Sequence, residues 1–245
     1  MAFFDFFRPW GRFYFRWSFS QSLGSVVIGV LFLLGIDRLT TAAMLLFFYG
    51  VSLSLLVISG RYPLRLCNAI TATRWFLGLS AVAWIVLLEL QALPIAGGVR
   101  WALAGILAFA EATDALDGYL ARKRGATSFG AKLDMETDSA FAFILSFVAV
   151  AYFGMPPWVL AIGLFHYVYF VLFRFTDEPE RSVPAYKGFA KAVCAFLMIA
   201  LIVSLAPPVS YGAKTLLNAV SLGLLTLSFA WDFYLRVAPL ETAQS

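Results

Sequence analysis

The chain has 245 residues, 62% of them apolar and only 13% charged. A soluble domain carries about twice that charged fraction, so a water-soluble globular enzyme is excluded. The net charge of +4 in so apolar a chain reports membrane orientation and gives no reason to invoke a nucleic-acid partner.

Apolar runs of about 20 residues recur along the sequence, each long enough to cross a bilayer as a helix. They are continuous rather than alternating, which selects helices over a barrel. The first 20 residues interleave Phe and Trp with Arg8, Arg12 and Arg16. Spacing of four puts the arginines on one helix face, the pattern of an interfacial aromatic-basic segment. It lacks a cleavage-site pattern and is expected to be retained. Eight spans follow, at about residues 23–36, 41–59, 69–92, 99–121, 132–153, 156–174, 187–205 and 212–235. With the N-terminus in the cytoplasm, the cytoplasmic stretches hold 15 of the 18 Lys and Arg, leaving Arg38, Arg100 and Lys214 outside. That asymmetry predicts cytoplasmic N- and C-termini in the cell (inner) membrane. A seam near Arg61-Tyr62-Pro63 divides the chain into residues 1–66, an interfacial segment plus transmembrane hairpin, and residues 67–240, a six-span domain.

Cys67 and Cys194 are the only cysteines and His166 is the only histidine. A disulfide framework and a histidine-based metal site are both excluded. His166 reads as a structural hydrogen-bonder.

Four of the eight aspartates crowd into DALDGYLARKRGATSFGAKLDMETD. Asp114 and Asp117 share one face at the end of the fourth span, by i, i+3 spacing. Asp134 and Asp138 share a face at the start of the fifth, by i, i+4 spacing. A loop of about ten residues containing Gly125 and Gly130 is expected to return the fifth span antiparallel to the fourth. Both pairs then meet near the cytoplasmic surface. An acid at the centre of a span costs about 2.5–3.5 kcal/mol on insertion scales, so something cationic must compensate. Hard oxygen ligands without histidine or cysteine favour Mg²⁺, Mn²⁺ or Ca²⁺. Four carboxylates on two facing helices suit a two-metal site. Gly118 permits close ligand approach, and the Arg122 fork matches a diphosphate. Glu111, one turn before Asp114, reads either as an acceptor or water ligand or as a structural acid.

These residues match the signature D-x2-D-G-x2-A-R, a gap, then G-x3-D-x3-D. It runs through Asp114, Asp117, Gly118, Ala121, Arg122, Gly130, Asp134 and Asp138 without departure. The chain therefore resembles the CDP-alcohol phosphotransferase (CDP-alcohol phosphatidyltransferase) family. Asn68 to Arg74 also resembles the N-x-[LI]-T-x2-R start of that family's first catalytic helix. The resemblance implies an all-α membrane bundle of six helices, here preceded by an extra N-terminal hairpin, and commonly a homodimer. It implies transfer of a phosphoalcohol from a CDP-linked lipid, such as CDP-diacylglycerol, to an acceptor hydroxyl with release of CMP. By resemblance, Asp114, Asp117 and Asp134 hold a first Mg²⁺ or Mn²⁺ ion. Asp138 lies at a second and acts as general base. Thr71, Gly118, Ala121 and Gly130 line the cytidine site, and Arg122 meets the diphosphate. The G-K-x-K-T stretch of many lipid-synthesising members is only half matched at Lys187-Gly188-Phe189-Ala190-Lys191-Ala192. Arg174, Arg181, Lys187 and Lys191 either bind a phosphorylated acceptor or serve as membrane anchors; the acceptor is a small polar alcohol or phospho-alcohol. The hairpin, outside the signature, is expected to be dispensable for chemistry. Competing readings are a metal-dependent membrane prenyltransferase, which needs two distant acidic motifs; a cation transporter, which needs acids at mid-membrane; and a catalytically inactive scaffold.

Overall fold

The computed structural model describes the backbone of residues 9–58, 66–124, 128–173 and 184–237, and side chains over 13–57, 69–113, 133–172 and 185–235. The described residues are almost wholly helical, with no strand among them. In chain order they form α1 (Pro9–Leu33), α2 (Arg38–Ile58), α3 (Leu66–Leu90), α4 (Gly97–Arg124) and α5 (Ser128–Phe153). A 3-10 turn (Pro157–Val159) leads into α6 (Leu160–Phe173), followed by α7 (Pro184–Leu205) and α8 (Tyr211–Val237). Within them, Arg38–Val57, Ala69–Leu90, Leu133–Phe153, Ala185–Leu205 and Tyr211–Leu235 are long and apolar enough to cross a membrane, and Pro157–Leu172 is a shorter apolar helix. The protein is thus an all-helical membrane protein with five candidate spans among its described residues.

Helix ends follow local chemistry. α1 stops at Gly35, whose φ of 102° suits only glycine without cost. There Gly35 N–H bonds Phe32 O at 3.1 Å and Ile36 N–H bonds Leu31 O at 3.1 Å, closing the carbonyl end of the helix. Asp37 then opens α2, its carboxylate accepting from Thr40 N–H at 2.9 Å. The Thr40 hydrogen bonds hold the exposed Asp37 carboxyl below the usual carboxylate range.

The centre of the fold is α5. Every residue from 139 to 149 is buried, which requires apolar side chains all round and explains its continuous SAFAFILSFVA run. Helices α3, α6, α7 and, more lightly, α2 surround it. α6 comes closest: a Cβ on Gly163 would lie 2.4 Å from Phe143 Cα and 2.9 Å from Ala142 O. Only a glycine lets the two backbones approach so closely.

Two features bear on the sequence expectations. The aromatic-basic start runs unbroken into the first expected span, because α1 is continuous from Pro9 to Leu33. Trp17, Ser18, Gln21, Ser22 and Ser25 on it are buried, so one face of α1 belongs to the core. It packs on α6 and α2. Secondly, the loop joining the aspartate helices is shorter than expected. α4 ends at Arg124 and α5 begins at Ser128, so Gly130 lies in the first turn of α5. Arg122, Lys123 and Arg124 are good helix formers and extend α4 rather than ending it.

Candidate active site

The site is assembled around Arg74, on α3, whose side chain is fully buried. Its Nη2 donates to Asp138 Oδ1 at 2.8 Å and to Glu111 Oε2 at 3.3 Å. Nη1 reaches Asp134 Oδ1 at 3.5 Å. The guanidinium also stands 5.8 Å from the Phe141 ring centroid. Helices α3, α4 and α5 thus meet at one cation, across 37 to 64 residues of sequence. A planar fork spreads five N–H donors over several ångströms and reaches carboxylates that the compact, three-donor ammonium would reach less well.

Asp134 and Asp138 lie one turn apart on α5 and face Arg74 on one side and a cavity of about 670 Å³ on the other. α5, α6, α7 and α8 supply most of its lining. Lys187 and Lys191 line it on α7, again one turn apart, with Tyr186 beside them. Tyr169 hydrogen-bonds Asp232 across α6 and α8, and both line the same space. Ile162, Leu197, Met198 and Leu225 make its apolar surfaces. Phe15 on α1 reaches the cavity too, with its ring 6.4 Å from Phe170.

Glu136 sits between the two aspartates in sequence, so on a helix it points the opposite way. It is buried at 1% exposure and accepts a hydrogen bond from Ser18 Oγ on α1. α5 is therefore held on two sides, by Arg74 at the aspartate face and by Ser18 at the back. A second polar chain runs nearby: Ser25 Oγ to Tyr49 OH at 2.6 Å, and Tyr49 OH to Tyr167 OH at 3.1 Å.

The sequence-predicted residues fare unevenly. Asp134, Asp138, Lys187 and Lys191 come together on one cavity. Thr71 is buried at 2% exposure, three residues before Arg74 on α3. Asp114, Asp117, Gly118, Ala121 and Arg122 lie on the helical backbone of α4, and Gly130 on that of α5, but their side chains are outside the described residues. Arg174 and Arg181 are also outside them. Among the described residues no three His, Cys, Asp or Glu side chains form a group that would hold a metal. Glu111, Asp134 and Asp138 bring three carboxylates to one guanidinium, and the oxygens of Asp134 and Asp138 at the cavity are of the hard type that divalent cations take.

Arg74 was legible only as a cytoplasmic anchor and as the end of the Asn68–Arg74 match; instead it is the counter-cation of the cluster. Glu111 is an ion-pair partner of Arg74 at 3.3 Å. Nothing in the sequence marked Glu136, Tyr169 or Asp232.

The family model described as CDP-alcohol phosphatidyltransferase matches residues 64–231. The chain belongs to this family. It is accordingly a transferase of substituted phosphate groups, a membrane enzyme of phospholipid biosynthesis that acts on a CDP-alcohol. Its members typically use a divalent metal. The prenyltransferase and transporter readings are set aside by the match. It includes α3 to α7 and most of α8, and α1 and α2 lie outside it. No curated protein and no solved structure matches the chain.

Proposed function

We propose that this enzyme transfers a phosphatidyl group from CDP-diacylglycerol to the hydroxyl of a small phosphorylated alcohol, releasing CMP. The observation that carries this reading is that Asp134 and Asp138 share one cavity with Lys187 and Lys191. Carboxylates suit the metal-bound diphosphate of the donor. Two lysines one turn apart suit an anionic acceptor. Arg174 and Arg181, close in sequence, would add to that charge.

In the proposed reaction Asp138 takes the proton of the acceptor hydroxyl while its oxygen attacks the β-phosphorus in line. The new P–O bond forms as the bond to CMP breaks, and CMP leaves with the electron pair. Two Mg²⁺ or Mn²⁺ ions held by Asp114, Asp117, Asp134 and Asp138 would neutralise the diphosphate and the leaving CMP. Arg122 would hold the diphosphate, and Thr71, Gly118, Ala121 and Gly130 the cytidine. Arg74 touches Asp134 and Asp138 and fixes their carboxylates toward the cavity. The catalytic domain is residues 67–240, a six-helix bundle, and residues 1–66 are an added hairpin. The enzyme works as a homodimer in the cell membrane with its active site and both termini cytoplasmic, the side where water-soluble acceptors are available.

Purified protein in detergent, given CDP-diacylglycerol and glycerol 3-phosphate, should release CMP and form a phosphatidyl product on thin-layer plates. Activity should vanish in EDTA and return with Mg²⁺ or Mn²⁺. Asp138→Asn should lower turnover by about 10²–10⁴-fold, with little loss of folded protein because the amide oxygen still accepts from Arg74. Full turnover after exhaustive chelation, or in Asp138→Asn, would overturn the assignment.

A further inference from the structure

Arg38, Arg100 and Lys214 are the three cations that the sequence sets apart from the aspartate end of the bundle. The structure uses them differently. Arg38 pairs with Glu89 at 2.7 Å, and Asp37, the other described acid at this end, caps α2. Arg100 and Lys214 have no carboxylate partner among the described residues. The Arg100 guanidinium rests 4.8 Å from the Phe153 ring centroid, and its Nε is buried without a hydrogen bond. Lys214 is only 5% exposed, and the charge of Arg100 bears directly on it. Buried charges are otherwise found paired, so two cations facing each other here call for an anion. The Lys214 ammonium and the two terminal Arg100 nitrogens also lack a partner among the described residues, yet they are not buried. A ligand from outside can reach them.

Both residues stand in the opening turns of long helices. α4 begins Gly97-Gly98-Val99-Arg100 and α8 begins Tyr211-Gly212-Ala213-Lys214, with no acid in either first turn. A Cβ on Gly97, Gly98 or Gly212 would meet nothing within 4 Å, so nothing covers the free N–H groups of these turns. They add the positive end of two helix dipoles to the two side-chain charges. Trp101 beside Arg100 and Tyr211 one turn before Lys214 are 55% and 59% exposed. Exposed Trp and Tyr of membrane helices sit at headgroup level, and Leu216 and Val220 expose apolar surface deeper along α8. We propose that Arg100 and Lys214, with the first turns of α4 and α8, bind the phosphate of an anionic membrane phospholipid. The site lies at the far end of the bundle from the reaction, roughly 16 Å from Glu111 along α4 and roughly 27 Å from Asp232 along α8 at 1.5 Å per residue. It is a second lipid site, and it does not depend on the proposed reaction. A zwitterionic lipid brings its own cation to the same place, so an anionic headgroup is preferred.

The full-length protein in maltoside detergent is given phosphatidylglycerol, phosphatidylcholine, diacylglycerol or inorganic phosphate. Retained lipid is counted by native mass spectrometry, and the melting temperature is followed by tryptophan fluorescence. Wild type should hold phosphatidylglycerol about tenfold more tightly than diacylglycerol, the worth of one hydrogen bond to a charged group, with phosphatidylcholine between them, and should melt higher with it. The double variant Arg100→Gln, Lys214→Gln should lose that excess, and Lys214→Arg should keep most of it. Lipid held in the catalytic cavity is common to all of these proteins and cancels in the comparison. Arg38→Gln is the control, a cation at the same end that Glu89 already occupies, and should bind lipid as wild type does. Should the double variant aggregate, the single variants Arg100→Gln and Lys214→Gln are read in the same way. Equal phosphatidylglycerol binding by wild type and the Arg100 and Lys214 variants overturns the site, as does an equal loss in Arg38→Gln, which would make the effect one of general surface charge. Protection by inorganic phosphate with none from phosphatidylglycerol would make the ligand a soluble anion and overturn the lipid assignment.

Discussion

Arg74 combines complete burial with ion pairs to Glu111, Asp134 and Asp138. A buried charge is tolerated only when paired, and removing one partner leaves the others uncompensated, at a cost of about 3–5 kcal/mol. Arg74→Met should therefore lower the melting temperature in detergent by many degrees, and Arg74→Lys should recover only part, because the compact ammonium reaches the three carboxylates less well. Thermal unfolding followed by tryptophan fluorescence measures both; a wild-type melting temperature in Arg74→Met would show that the cluster does not depend on its cation. The aspartates were legible because their i, i+3 and i, i+4 spacings are local. Their partner was not, since Arg74 lies 60 residues from Asp134 and 64 from Asp138 and looked like one more basic residue at a span end. Glu136 was hidden differently: it sits inside the D-x3-D motif, but helical geometry turns it to the back of α5, where Ser18 meets it.

At the scale of helices, hydropathy located the elements well and their packing poorly. Each of the eight expected spans overlaps an observed helix, and five of those helices are long and apolar enough among the described residues to cross a membrane. Hydropathy could not show which faces touch, because a lipid-facing leucine and a buried one look alike in sequence. Gly163 is the sharpest case. It sits unremarked in LAIGLFHYVYFVLF, yet a Cβ there would lie 2.4 Å from both Phe143 Cα and Ser146 Oγ. The α5 backbone cannot yield as a flexible side chain would, so α6 must move away, carrying His166 and Tyr169 with it. Gly163→Ala should destabilise the protein by about 1–3 kcal/mol and lower activity. Gly105→Ala is the control: nothing lies within 4 Å of the added carbon, and alanine is the better helix former by up to about 1 kcal/mol. Melting temperatures of the two variants should shift in opposite directions. An unchanged Gly163→Ala would mean that α5 and α6 have room to separate.

For the molecule as a whole, the open question is what the first two helices do. The family match begins at residue 64, and the sequence alone suggested that residues 1–60 could be removed. The packing argues the opposite. Trp17 from α1 and Tyr49 from α2 each approach Trp75 of α3, with ring centroids 5.9 Å apart in both pairs, and Trp75 neighbours Arg74 in the chain. Trp17 Nε1–H also bonds Ser52 O at 3.2 Å, tying the hairpin to itself. Ser18 supplies the hydrogen bond of a buried Glu136, Ser25 and Tyr49 bond in a chain with Tyr167, and Phe15 closes part of the cavity. Deleting residues 1–60 would strip these partners from three helices of the family-matched region and expose Glu136, two residues from both Asp134 and Asp138, to lipid. Loss of several buried hydrogen bonds at about 1 kcal/mol each, together with the aromatic packing, exceeds what a marginally stable fold tolerates. The protein starting at Tyr62 should therefore aggregate or elute as a broadened species in detergent, with CMP release near background. Supplying residues 1–60 as a separate chain in the same membrane should restore part of both, because the contacts do not need the 59–65 connection. Ser18→Ala, a single lost bond, should show a smaller loss in the same direction. A truncated protein that elutes sharply and turns over like wild type would mean that the buried face of α1 is replaceable by lipid, and that the hairpin serves something other than the active site.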